Sequence, residues 1–140
     1  MVEVGLIKFK QTLKQAGSSA TQTRIVIFTS LQQQGPVGIT KLIKSVRSSA
    51  DRATVYRALE LFEKLGIVNR IWYGSEPLVE LSEIFTPHHH HALCQNCGKA
   101  IDLSSSELES ALANLAKKHH FLFKSTFKRY FIGRPCDWCQ

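Results

Sequence analysis

Apolar residues recur at helical spacing through the first half of the chain. Val4 to Ala16 reads as a first helix ended by Gly17. Thr23 to Gln33 reads as a second, with Ile25, Val26, Phe28, Thr29 and Leu31 on its apolar face and Gly35-Pro36 as the stop. Ile39 to Val46 predicts a short third helix. After the polar turn Arg47-Ser48-Ser49-Ala50, a fourth opens near Asp51 and runs to Leu65, where Gly66 supplies a left-handed cap. Val55, Ala58, Leu59, Phe62 and Leu65 follow the helical repeat and form one buried stripe, which leaves Arg52, Thr54, Tyr56 and Arg57 on the outer side of the first two turns. Side chains of that kind, so placed, are what a recognition helix presents to base edges and phosphates in a major groove.

The period then changes to two. Ile67 to Tyr73 alternates as a strand, Gly74-Ser75-Glu76-Pro77 is a turn, and Leu78 to Leu81 is a second strand. A helix-turn-helix followed by a β-hairpin describes a winged helix over residues 1–82. Residues 83–87 lose periodicity and form the expected hinge, and residues 88–140 form a second domain. There, His88 to Leu93 and Ala100 to Leu103 read as strands, and Ser104 with Glu107 as a capping box. The helix it opens carries Leu108, Ala111, Leu112, Leu115 and Ala116 on one face, and Phe121 to Ile132 is a long alternating strand. The expected class is α+β. A small sheet under one helix leaves an aromatic surface and an edge in need of cover, and a homodimer both covers it and presents two recognition helices to a two-fold operator.

Composition sharpens this picture. The chain has 140 residues, 44% of them hydrophobic and only four of them proline, which argues against disorder. The net charge of +7 is uneven: Lys8, Lys10, Lys14, Arg24, Lys41, Lys44, Arg47, Arg52 and Arg57 lie between Val4 and Arg57, against the single acid Asp51. Such a stretch fits a polyanion, with a merely solvated basic face as the alternative.

Four cysteines occur in all, as Cys94-Gln-Asn-Cys97 and Cys136-Asp-Trp-Cys139. That is the spacing of a closed tetrahedral zinc site, structural rather than catalytic; two disulfides or four free thiols are the alternatives. No segment resembles a signal peptide, and no apolar run approaches the roughly 18 residues of a membrane span. A reducing cytoplasm is therefore expected, and there the spacing favours metal. His88-His89-His90-His91, immediately before the first knuckle, holds four of the six histidines.

Taken in order, Thr21-Gln-Thr-Arg24, Ala53-Thr-Val-Tyr-Arg57, Gly66-Ile-Val68, the His88–His91 run, Cys94-Gln-Asn-Cys97-Gly-Lys99 and the terminal Cys136-x-x-Cys139 resemble the ferric uptake regulator family of metal-responsive repressors, over Leu13 to Cys139. The resemblance implies a winged helix hinged to an α/β dimerisation domain, with Cys94, Cys97, Cys136 and Cys139 as structural zinc ligands. It places Glu80, His89, His91 and Asp102 at the family's regulatory site. Residues two apart on a strand point the same way, so His89 and His91 can share one ion. A further site found in some members would use His88, His90 and Glu109; its last histidine position is Thr126 here, and His119 or His120 would replace it only if the following strand shifts. This chain departs from the family in having no histidine before His88, and in carrying His90 where a carboxylate is usual and Thr23 where a proline is usual.

The function so implied is metal-dependent repression of metal-uptake genes by a dimer bound to double-stranded operator DNA. Tyr56, Arg57 and Thr54 would read the groove, and Arg52 and Lys14 would hold the backbone. The nitrogen and oxygen ligands suit iron(II), zinc or manganese(II), with iron first because the wing lacks the cysteine frequent in zinc-sensing relatives. Two other classes are a constitutive, zinc-stabilised nucleic-acid module and a metallohydrolase. The second needs an open metal position and a substrate pocket, for which the short loops leave little room.

Overall fold

Four helices and a small sheet make the first of two units in the computed structural model, which describes residues 2–72, 76–121 and 130–133; the units are residues 1–86 and 87–140. In chain order the first contains α1 (Val2–Gln15), α2 (Gln22–Gln34), β1 (Val37–Gly38), α3 (Ile39–Val46), α4 (Arg52–Lys64), β2 (Val68–Ile71) and β3 (Leu78–Leu81). Its core joins Phe9, Phe28 and Phe62. The Phe9 and Phe28 rings stack at 4.2 Å, and Phe62 meets Phe9 edge-on at 5.2 Å. Each such side chain contributes about 1.5–3 kcal/mol by leaving water.

The second helix departs from the expected pattern. Ile27, Phe28 and Leu31 are its buried residues, while Ile25 and Val26 are half-buried on another side. It is apolar around most of its girth because it is the central helix, touching α1, α3, α4 and β3.

The fourth helix has both ends tied. Asp51 Oδ1 accepts the Thr54 backbone N–H at 2.7 Å, satisfying a donor that would otherwise lack an intrahelical partner. At the other end Gly66 takes φ 68°, its N–H bonds the Glu63 carbonyl, and the Ile67 N–H reaches back to the Phe62 carbonyl at 2.8 Å. This Schellman arrangement turns the chain directly into β2. Between the caps, Val55, Ala58, Leu59 and Phe62 are buried.

The three strands run in the order β1-β3-β2, all antiparallel, with Val37 opposite Val79 and Val68 opposite Leu81. The two-residue β1 was absent from the sequence reading. It widens the hairpin and anchors α3, whose N-cap Gly38 has no side chain to cap it. Glu76 does so instead, accepting both the N–H and the hydroxyl of Thr40. Tyr73 of the expected strand and Gly74 and Ser75 of the expected turn lie outside the described residues.

The second unit contains β4 (His90–Cys94), β5 (Ala100–Leu103), α5 (Ser106–Lys118) and β6 (Tyr130–Gly133). The sheet order is β5-β4-β6, with β4 antiparallel to β5 and parallel to β6. Ser105, not Ser104, caps α5, its hydroxyl accepting from Leu108 N–H at 3.3 Å. With Ser105 as the N-cap the helix starts one residue later than the capping-box pattern implies, and Glu107 loses the position it would need to complete that box. Ala116 is the buried residue of α5, whereas Leu115 is 51% and Phe121 69% exposed. Most of the expected Phe121–Ile132 strand lies outside the described residues; β6 is the part within them. Among the described residues no helix is long and apolar enough to cross a membrane.

Two outcomes follow for stability. Phe28→Ala should cost about 3–5 kcal/mol in chemical denaturation, because it empties the centre of the aromatic core. The hydroxyl and backbone N–H of Thr54, with the charge of Arg57 adding, hold the Asp51 carboxyl below its ordinary value. A depressed carboxylate stabilises the fold above its unfolded pKa and loses that contribution as pH falls through the folded value. Asp51→Asn should therefore keep the cap at neutral pH but flatten the fall of Tm below about pH 4, while Asp51→Ala should lower Tm at neutral pH.

Candidate functional site

Four consecutive histidines cannot share one direction on extended backbone, because successive side chains leave opposite faces. In the C-terminal unit they separate into two pairs. His88 and His90 meet edge-to-face with ring centroids 4.9 Å apart, and His89 and His91 do so at 4.6 Å.

The even pair converges on helix α5. Glu109 Oε1 lies 2.6 Å from His90 Nε2 and 3.2 Å from His88 Nε2, and one ligand atom from each of the three residues falls within 4.8 Å of the others. His90 is buried, at 2% side-chain exposure, while Glu109 sits at the surface. A carboxylate only accepts hydrogen bonds, so without a metal ion the His90 Nε2 facing it is the donor. That hydrogen bond is the largest cause holding the Glu109 carboxyl below its ordinary value, and the charges of His90 and His88 act in the same direction. Two imidazole nitrogens and a carboxylate oxygen aimed at one point make a donor set that could hold a metal ion.

The odd pair faces β5. The register sets His91 opposite Asp102, and His91 Nδ1 is 3.0 Å from Asp102 Oδ1, with His89 Nε2 3.9 Å from the same oxygen. His89 Nδ1 is 2.6 Å from the Pro87 carbonyl. A carbonyl accepts, so Nδ1 carries the proton and Nε2 keeps the lone pair that a metal needs. The sequence reading passed over this Pro87 carbonyl; its only sign was a proline two residues ahead of a strand histidine. Glu80 belongs to the other unit, where it is buried on β3 opposite Asn69.

The first cysteine knuckle follows β4 directly. Cys94 is buried and Cys97 exposed. Cys94 N–H donates to the Lys99 carbonyl at 2.9 Å, and its carbonyl accepts from Gly98 N–H at 2.9 Å. Gly98 has φ 71°, a conformation that side chains rarely adopt, which gives the Cys-x-x-Cys-Gly order its physical reason. Cys136, Cys139 and Thr126 lie outside the described residues.

In the N-terminal unit, Arg52 and Arg57 are exposed and Thr54 and Tyr56 half-exposed on the first two turns of α4, and Lys14 is exposed near the end of α1. The Arg52 guanidinium lies 5.4 Å from the Tyr56 ring centroid, a cation-π contact that pre-orders both side chains. The buried stripe of α4 fixes which side of the helix these residues occupy.

Comparison with known proteins places these features in company. A family model described as the ferric uptake regulator family matches residues 15–128. The ferric uptake regulation protein of Campylobacter jejuni is 35% identical over 126 residues, covering 85% of this chain and 79% of that protein. The crystal structure of the Vibrio cholerae ferric uptake regulator superposes with a TM-score of 0.71 at 32% identity, over 90% of this chain and 98% of that one. The Helicobacter pylori regulator, described as having three functional metal binding sites, shares the fold at a TM-score of 0.81 and 21% identity, over 99% of this chain and 93% of that one.

The even cluster makes a direct expectation. Cobalt(II) titration of the zinc-loaded protein should reveal a site lost in His90→Ala and weakened more than tenfold in Glu109→Ala, with far-ultraviolet circular dichroism unchanged. Equal cobalt affinity in all three proteins would show that the cluster holds only a proton.

Proposed function

Because the chain belongs to the ferric uptake regulator family, we propose that it is a metal-responsive transcriptional repressor, not an enzyme, which binds operator DNA as a homodimer when a regulatory divalent ion is bound and so controls metal-uptake genes. The observation that carries this reading is the splitting of His88–His91 into two pairs, each with its own carboxylate, in a chain whose other unit has a helix-turn-helix with an exposed basic recognition face. Its place of action is the cytoplasm.

Three sets of ligands have three tasks. Cys94, Cys97, Cys136 and Cys139 hold structural zinc, supported by the knuckle turn at Cys94–Lys99. Glu80, His89, His91 and Asp102 take the regulatory ion. The inclusion of Glu80 rests on its position in the family motif, and that of the other three also on the His89, His91 and Asp102 geometry. His88, His90 and Glu109 form the further site. A bound divalent ion supplies a Lewis-acid centre that joins carboxylate and imidazole donors. The chain's own part is to keep His89 Nε2 unprotonated through the Pro87 carbonyl and to orient His91 through Asp102.

Metal binding promotes DNA binding only as far as the ion prefers the DNA-competent arrangement over the alternative. Iron(II) is the favoured effector, with zinc second and manganese(II) also compatible. The relatives from Campylobacter jejuni and Vibrio cholerae carry iron in their names, and the ligands are nitrogen and oxygen. The exposed Leu115 and Phe121 support a dimer that covers this surface. On the DNA side, Tyr56, Arg57 and Thr54 read the groove while Arg52 and Lys14 hold phosphates.

A double His89→Ala/His91→Ala variant should retain its fold and about one zinc per chain, yet bind DNA equally with and without added metal. The reading fails if that variant still gains affinity on adding iron(II). A constitutive nucleic-acid module would show no metal effect in the wild-type protein either.

A further inference from the structure

We propose that Lys41 and Lys44 on the outer face of α3, with its C-cap Arg47, form a second contact surface for the DNA phosphate backbone, separate from the groove-reading face of α4. This rests on the repressor reading above and adds to it residues and a task.

The argument begins with helical spacing. Lys41 and Lys44 on α3 and Arg47, its C-cap with helical dihedrals, are each three apart and share one side, opposite Ile39, Leu42 and Val46, which are buried in the core. All three cations are exposed. Among the described residues none of them makes an ion pair: Glu76, the carboxylate at the start of α3, is engaged by Thr40, and Asp51 is occupied as the cap of α4. Like charges one turn apart repel and slightly weaken a helix, so an uncompensated row of three suits a polyanion.

Rigidity points the same way. The N-terminus of α3 is held by Glu76, and Ser45 on α3 is bonded to Ser30 and Gln34 of α2. The row of cations therefore projects from a fixed support. In a helix-turn-helix the helix ahead of the recognition helix crosses the backbone while its successor enters the groove, and α3 has that place in this chain. Phosphates spaced along a strand match a row of point charges, and no base specificity is implied.

The test is the salt dependence of binding by full-length, metal-loaded protein to random-sequence duplex DNA. Each phosphate contact contributes a slope of about −0.9 in log K against log salt. Lys41→Ala/Lys44→Ala/Arg47→Ala should make the slope shallower by about 2.7 per protomer, with Tm unchanged. A charge-keeping Lys41→Arg/Lys44→Arg variant should retain the wild-type slope. A slope unaltered in the triple Ala variant overturns the proposal, including the case in which that variant loses an acidic protein partner instead. The repressor reading stands or falls separately, on whether the wild-type protein's affinity responds to metal.

Discussion

Neighbouring side chains on extended backbone point to opposite faces, and the chemistry of the C-terminal unit depends on that constraint. Four histidines in a row on a helix would spread around its circumference. Running into β4 they separate into two pairs, each facing a different carboxylate: Glu109 from α5 on one side and Asp102 from β5 on the other. A one-residue slip in the pairing of β4 with β5 would exchange the faces, so the arrangement of both pairs depends on the register His91↔Asp102. The same strand ends in Cys94, which joins the histidines to the knuckle through one rigid element.

The N-terminal unit solves a different problem: holding one helix face still and open. The cluster of Phe9, Phe28 and Phe62 locks α4 against α1 and α2 from the inside, while Asp51 and Gly66 define its ends. With the inner stripe committed to the core, Arg52 and Arg57 are left exposed, while Tyr56 packs partly against the core and Arg52 and Tyr56 order each other. Glu76 links the hairpin to the start of α3.

Much of this was legible in the residues because the signals were local. The α3 boundaries, the Asp51 and Gly66 ends of α4 and the β3 strand each rest on a period or a cap within a few residues. The features that escaped were tertiary or degenerate. A two-residue strand such as β1 is too short to show alternation and exists only because β3 offers it an edge. The cap that Glu76 provides for Thr40 spans a long loop, although Gly38, with no capping side chain, marks where such a partner is needed. Ser104, Ser105 and Ser106 are chemically equivalent caps, and the end of β5 selects among them. For the sites, spacing on a strand paired His89 with His91 and the family resemblance put His88 with His90, but neither told which hydrogen bonds set their tautomers. The parallel partnership of β6 with β4 joins distant segments that no local period connects.

The account stands on a coupling between metal and DNA, and one titration addresses it most directly. DNA binding by the zinc-containing protein is measured at fixed salt across buffered free concentrations of iron(II), zinc and manganese(II). The account predicts weak binding without added metal and tight binding with it, at the lowest free concentration for the physiological effector. Equal affinity with and without every metal would contradict it and leave a constitutive DNA-binding protein whose histidines serve some other end.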